Sequence, residues 1–190
     1  THNINIILNC IILAKRCFFN SNKYMKDKIE NIAKLSKLNF KENTSFFKKL
    51  KKKLPKQFDY LMNDLHDDEF SKTNCLDCAN CCKTTSPIFT SKDISSISKH
   101  LRLKIDKFVS QYLTMDSDND YVLKGSPCTF LNEDNSCFIY EHRPKACREY
   151  PHTNRKDFHK ISDLTMKNIE ICPAAFNIVE KLKSTLKDNT

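Results

Sequence analysis

Cys75-Leu76-Asp77-Cys78-Ala79-Asn80-Cys81-Cys82 places four thiols in eight residues. Two residues between cysteines let one tight turn aim both sulfurs at the same point, the arrangement of zinc knuckles and iron–sulfur ligand loops. The adjacent pair adds a constraint. Neighbouring side chains diverge, so Cys81 and Cys82 together suit a single mononuclear ion poorly; they suit a cluster, or two sites that share the segment. Four further cysteines follow at Cys128, Cys137, Cys147 and Cys172. The eight sulfurs point to a metal centre that substitutes for part of an apolar core. They set the expected fold class: a small cysteine-rich, metal-stabilised α+β domain with helices around a short β-hairpin.

Outward from this motif, apolar spacing predicts mostly helix. Ile29, Ile32 and Ala33 suggest a short helix. Phe46, Phe47, Leu50 and Leu54 recur at helical spacing until Pro55, and Phe58, Leu61, Met62 and Leu65 continue up to the acidic run Asp67-Asp68-Glu69. Thr90-Ser-Lys-Asp93 reads as a capping box ahead of Ile94, Ile97 and Leu101. A second amphipathic helix follows through Ile105, Phe108, Val109, Tyr112 and Leu113, then an acidic loop over 116–120. Residues 121–124, 128–131 and 137–140 read as short strands, the last two joined by Asn132-Glu-Asp-Asn135 in a hairpin that brings Cys128 near Cys137. Phe176, Val179, Leu182 and Leu186 mark a C-terminal helix.

Composition excludes several functions. The only glycine is Gly125, so a P-loop and a dinucleotide-binding fingerprint are absent, and a glycine-rich methyl-donor loop is disfavoured. The net charge of +9 is concentrated in residues 23–56, where twelve lysines face three acidic residues. The cysteine-bearing part is near neutral. Lysines 48, 49 and 51–53 surround an apolar stripe with no interleaved arginine, which reads as a solvated helix face and gives no strong nucleic-acid signal. Spacing of metal-ligand type and the lack of a convincing signal peptide argue against a disulfide framework. Ile4–Ala14 is apolar but too short to span a membrane. Three segments are expected: a non-native or disordered leader over 1–24, a basic helical extension over 25–69, and the cysteine-cluster domain over 70–190. The first methionine is Met25, so residues 1–24 are read as translated upstream sequence, with Cys10 and Cys17 outside the site.

The later cysteines sit in telling contexts. Cys172 precedes Pro173, a residue favoured at the first helical position, and so is expected at an N-cap. Cys147 lies three residues after Pro144, in the first turn of a short helix that Pro151 closes. Helix N-termini offer free N–H groups and a positive dipole end, and both favour thiolate. Arg143 and Arg148 flank Cys147 and could balance its charge, or could simply pair with Glu141 and Glu149. Tyr140, Glu141 and Tyr150 crowd the same stretch with the two arginines and could line a pocket, or the two tyrosines could simply pack over the sulfurs; His142 is a conceivable ligand. The other histidines read as ordinary surface or core residues. Cys75, Cys78 and Cys81 with Cys172-Pro173 echo a ferredoxin pattern, while two four-cysteine zinc sites fit the count of eight equally well.

Three blocks together resemble one family: Cys75–Cys82, Pro127-Cys128-Thr-Phe-Leu131, and Cys137-Phe-Ile-Tyr-Glu-His-Arg-Pro-Lys-Ala-Cys147-Arg-Glu-Tyr-Pro151. They are similar to the CxxCxxCC cysteine-cluster family, the zinc- or iron-chelating domain also called YkgJ-type, over roughly residues 70–180. The resemblance implies a bacterial, cytoplasmic protein that binds zinc or iron, with an iron–sulfur cluster as a further option, and whose biochemical role is undefined. Some relatives combine the cysteine cluster with lysine N-methylation, which implies an iron–sulfur enzyme or its accessory as one alternative. A zinc-stabilised interaction module is another. No nucleophile–base pair can be named, and the partner, protein or small molecule, is not specified. Metal removal or Cys81→Ser is expected to unfold residues 70–180.

Overall fold

The computed structural model describes residues 23–188, so most of the expectation for residues 1–24, including Cys10 and Cys17, lies outside the described residues. Helix α1 covers 23–38, longer than the short helix expected there. It buries Ile32 and Ser36, and the Ser36 hydroxyl donates to the Ile169 carbonyl at 3.0 Å. Helix α2 (Phe40–Lys52) turns Phe47 and Leu50 inward and leaves its lysines exposed, as a solvated face requires. Helix α3 (Phe58–Phe70) buries Phe58 and Met62.

These helices meet the end of the chain. Phe47, Leu50, Phe58 and Met62 join Phe158, Ile169, Ile178, Val179 and Leu182 in one apolar cluster. Full burial contributes roughly 1.5–3 kcal/mol for each such side chain. The C-terminal partners come from a 3-10 turn (Phe158–Ile161), α9 (Ser162–Ile171) and α10 (Pro173–Asp188), numbered here in chain order. Residues on both sides of position 70 thus contribute to one apolar cluster. Lys181 fastens α10 to α3 through Asp68 at 2.8 Å and Glu69 at 3.0 Å. Lys183, almost fully buried, joins α10 to α2 through Asn43 at 2.9 Å and Glu42 at 3.3 Å.

A second apolar cluster of Phe89, Ile94, Ile97, Phe108, Phe130 and Ile139 lies under α6 (Ser91–His100) and α7 (Ile105–Tyr112). The capping box is present: Thr90 Oγ1 accepts from the Asp93 N–H at 3.2 Å, and Asp93 accepts from the Thr90 N–H at 3.0 Å. The sheet is a single antiparallel pair, β1 (Leu113–Met115) with β2 (Tyr121–Leu123), Leu113 opposite Leu123.

The strand assignment needs correction. Leu113 starts β1 rather than ending a helix, and residues 128–131 and 137–140 form only one bridge, Leu131 opposite Cys137, before a 3-10 turn at Tyr140–His142. The reason is local: the Leu131 N–H turns back to the Cys128 carbonyl at 3.1 Å, the Tyr140 N–H to the Cys137 carbonyl at 3.1 Å, and the Cys128 N–H is taken by the Cys82 carbonyl at 2.8 Å. An N–H committed to a turn or to another segment cannot serve a ladder. The fold is thus mostly helical with a small two-stranded sheet, within the α+β class. No helix among the described residues is long and apolar enough to cross a membrane.

Candidate metal centre

The motif folds as two short helices, α4 (Cys75–Cys78) and α5 (Asn80–Thr84). Asn74 caps the first by accepting from the Leu76 N–H at 3.1 Å. Between them Ala79 adopts the left-handed conformation (φ 48°, ψ 18°) and is buried. That conformation costs an L-residue about 1–2 kcal/mol. In one continuous helix Cys75 and Cys82 would stand about 10 Å apart along the axis. The break folds that row up. α5 is then pinned on both sides. The Asn80 side chain donates to the Ile171 carbonyl at 2.8 Å, beside Cys172, and the Cys128 N–H donates to the Cys82 carbonyl at 2.8 Å.

The remaining thiols arrive from the two apolar clusters. Cys172 packs against the first, at the start of α10, where the Ala175 N–H donates to its sulfur at 3.5 Å, as an N-cap position predicts. Cys128 and Cys137 pack against the second. Cys147 comes from α8 (Lys145–Glu149), whose first N–H, that of Lys145, donates to Asp93 at 3.0 Å. The thiols thus form the seam between two cores.

The thiols influence one another, and Cys82 reaches the most of them. Negative charge at Cys82 opposes ionisation of Cys128, Cys137 and Cys147, while Cys75 and Cys78 oppose ionisation of Cys172. Cys75, Cys78, Cys81 and Cys172 together wall a cavity of about 280 Å³. Of the adjacent pair, Cys81 joins that wall and Cys82 does not, while the two thiols stay in contact with each other. Cys82 stays close enough to Cys75 and Cys78 for its charge to be felt there too.

Burial pushes Cys75, Cys78, Cys128 and Cys137 upward, and takes Cys147 and Cys172 up to about 12. Cys82 alone moves down, because the Cys81 thiol donates to it, and Cys81 rises through the same bond and through burial. A thiolate-binding ion must expel those protons. Among the described residues no three Cys, His, Asp or Glu side chains stand as a ready cage for one ion. The thiols are assembled as neighbours, and the Ala175 N–H that donates to the Cys172 sulfur favours its thiolate form. An all-sulfur donor set fits zinc or iron.

The residues expected to support the ligands divide as well. The Arg143 guanidinium lies 3.5 Å over the Tyr140 ring, and its charge favours thiolate at Cys75, Cys82, Cys137 and Cys147. Arg148 bonds the Arg143 carbonyl and approaches Asp93 at 4.0 Å. Glu149 pairs with Lys145 instead of an arginine, at 3.6 Å. Tyr140 is exposed beneath Arg143. His142 is engaged by α6, its Nδ1 at 3.1 Å from the Ser96 hydroxyl and its ring stacked at 4.3 Å on His100. One role escaped the sequence reading: Asp93, legible as a cap, also holds α8. Tyr150 lines the cavity with four of the thiols, and its hydroxyl is buried without a hydrogen-bond partner.

Comparison with known proteins adds a family. The model of CxxCxxCC, described as "Putative zinc- or iron-chelating domain", matches residues 74–167. That span holds seven of the eight thiols and stops short of Cys172. A protein described as uncharacterized from Methanocaldococcus jannaschii is 30% identical over 108 residues. The match covers 55% of this chain, and the chain spans about half the length of that curated relative, 55%. No solved structure matches.

Proposed function

On the premise that residues 74–167 belong to the CxxCxxCC family, a zinc- or iron-chelating domain, we propose that the chain binds two metal ions through two sets of four thiolates. Cys75, Cys78, Cys81 and Cys172 form one set, and Cys82, Cys128, Cys137 and Cys147 the other. The observation that carries this reading is the cavity wall shared by Cys75, Cys78, Cys81 and Cys172, from which the other four thiols are absent. Four thiolates complete a tetrahedral ion, and a site closed in this way stabilises a fold. Arg143 offsets the charge of the second set. A reduced, cytoplasmic setting belongs to the same reading, since the thiols must stay unoxidised. The methylation and iron–sulfur alternatives receive no support from the relative found.

Anaerobic purification of the full chain tests it, with metal and acid-labile sulfide quantified together. The expected result is about two ions per chain without sulfide. Iron accompanied by an equal amount of sulfide would replace two separate ions with a cluster.

A further inference from the structure

Far from the thiols, α1 and α2 concentrate the positive charge of the chain: residues 23–56 hold twelve lysines against Asp27, Glu30 and Glu42. On α2, Asn43, Phe47 and Leu50 are buried, whereas Lys41, Lys48 and Lys52 are exposed. Spaced i, i+7 and i+11, these three lysines share one stripe along the helix, with Lys49 and Lys51 beside it. The only carboxylate of α2 turns elsewhere, Glu42 pairing with Lys183 at 3.3 Å and Lys187 at 3.6 Å, both on α10. Among the described residues no carboxylate pairs with the lysines of the stripe or the two beside it. A merely solvated face would show as much. What such a face does not require lies at its two ends. At the junction of α1 and α2, Lys37-Leu38-Asn39-Phe40-Lys41 leaves Leu38 69% and Phe40 52% exposed. Beyond the other end of α2, Lys53-Leu54-Pro55-Lys56 leaves Leu54 39% exposed. A basic helix about 20 Å long is thus bracketed by apolar side chains set between lysines.

We propose that α2 lies along an anionic lipid surface, with Lys41, Lys48 and Lys52 among the headgroups and Leu38, Phe40 and Leu54 at the acyl boundary. Unpaired lysines fit any polyanion, and the apolar side chains choose among them. Headgroup phosphates take the ammonium groups while the hydrocarbon beneath takes leucine and phenylalanine. A nucleic acid offers those apolar groups no comparable burial, and its phosphates and base edges favour the forked guanidinium, yet residues 23–56 contain no arginine. The contact is peripheral and screened by salt. It is independent of how the thiols divide between ions.

The full metal-loaded chain is sedimented with vesicles of phosphatidylcholine alone, or with about 30% phosphatidylglycerol added, at about 0.15 M salt. Binding is expected to the anionic vesicles and not to the neutral ones. Each lysine contributes about fivefold, so Lys48→Ala combined with Lys52→Ala should weaken the partition about 25-fold. Both side chains are exposed, and metal content and melting temperature should stay at their wild-type values. Leu38→Ser combined with Phe40→Ser should weaken binding at least about tenfold. Equal binding to both kinds of vesicle, binding to neither, or an unchanged partition in the lysine double variant would overturn the inference. So would tighter binding to duplex DNA at the same salt that survives Leu38→Ser with Phe40→Ser, an outcome that assigns the face to nucleic acid.

Discussion

Asp93 ties the helix that carries Cys147 to the helix that opens the second core. Its Oδ2 accepts from the Thr90 N–H at 3.0 Å and the Thr90 hydroxyl at 2.6 Å, and its Oδ1 accepts from the Lys145 N–H at 3.0 Å. The side chain is only 6% exposed, so water cannot replace these bonds in place. Asp93→Ala removes the cap interaction, about 1 kcal/mol, and the carboxylate bond to Lys145, about 1.5–3 kcal/mol. The expected loss is about 2.5–4 kcal/mol. For a chain of this length that lowers the melting temperature by roughly 5–15 °C. Asp93→Asn keeps an acceptor toward Lys145 and should lose less than half as much. Urea unfolding of the metal-loaded chain measures the free energies. Competition with a chromogenic chelator measures metal release, which should quicken for one ion and not the other, because α8 presents only Cys147. An Asp93→Ala chain within 1 kcal/mol of wild type, or one that releases both ions equally faster, would refute the argument.

Other outcomes follow from the same geometry. In the metal-free chain iodoacetamide near neutral pH should label Cys82 before Cys172, since the Cys81 thiol favours thiolate at Cys82 while burial holds Cys172 near 12; peptide mass mapping that finds uniform labelling would count against this. Lys181 and Lys72 hold Asp68 at about 2, below its ordinary 3.8. A depressed carboxyl contributes stability that is present above its unfolded value and lost as pH falls through the folded one. Acid unfolding between about pH 4 and pH 2 should therefore be shallower in Asp68→Asn; an unchanged profile would show that the α3–α10 link adds nothing. Chelation should raise hydrogen exchange in residues 73–86 and 126–150 while α2, α3, α9 and α10 stay protected by their apolar cluster. Protection lost equally throughout would place the metal at the base of the whole fold.

That last expectation narrows the one drawn from sequence, in which metal loss unfolds residues 70–180. Cysteine spacing announced the centre because two-residue gaps have a local geometric meaning. The capping box at Thr90 and Asp93 and the helix start at Pro173 were legible for the same reason. What spacing could not carry was long-range. Phe47 and Phe158 share a core across more than a hundred residues, and nothing near either one says so. The strands expected at 128–131 and 137–140 failed because alternation of apolar residues ignores N–H groups taken by turn carbonyls and by Cys82. The orphan hydroxyl of Tyr150 depends on how distant segments close over it, which no pattern of residues encodes.

The most direct test of two separate sets is the metal content of Cys147→Ser and Cys172→Ser, each measured per folded chain beside wild type. Two sets predict about one ion in each variant against about two in wild type, and close to none in the double variant. If either single substitution removes all the metal, the eight thiols hold one shared centre and the division at Cys81-Cys82 is wrong.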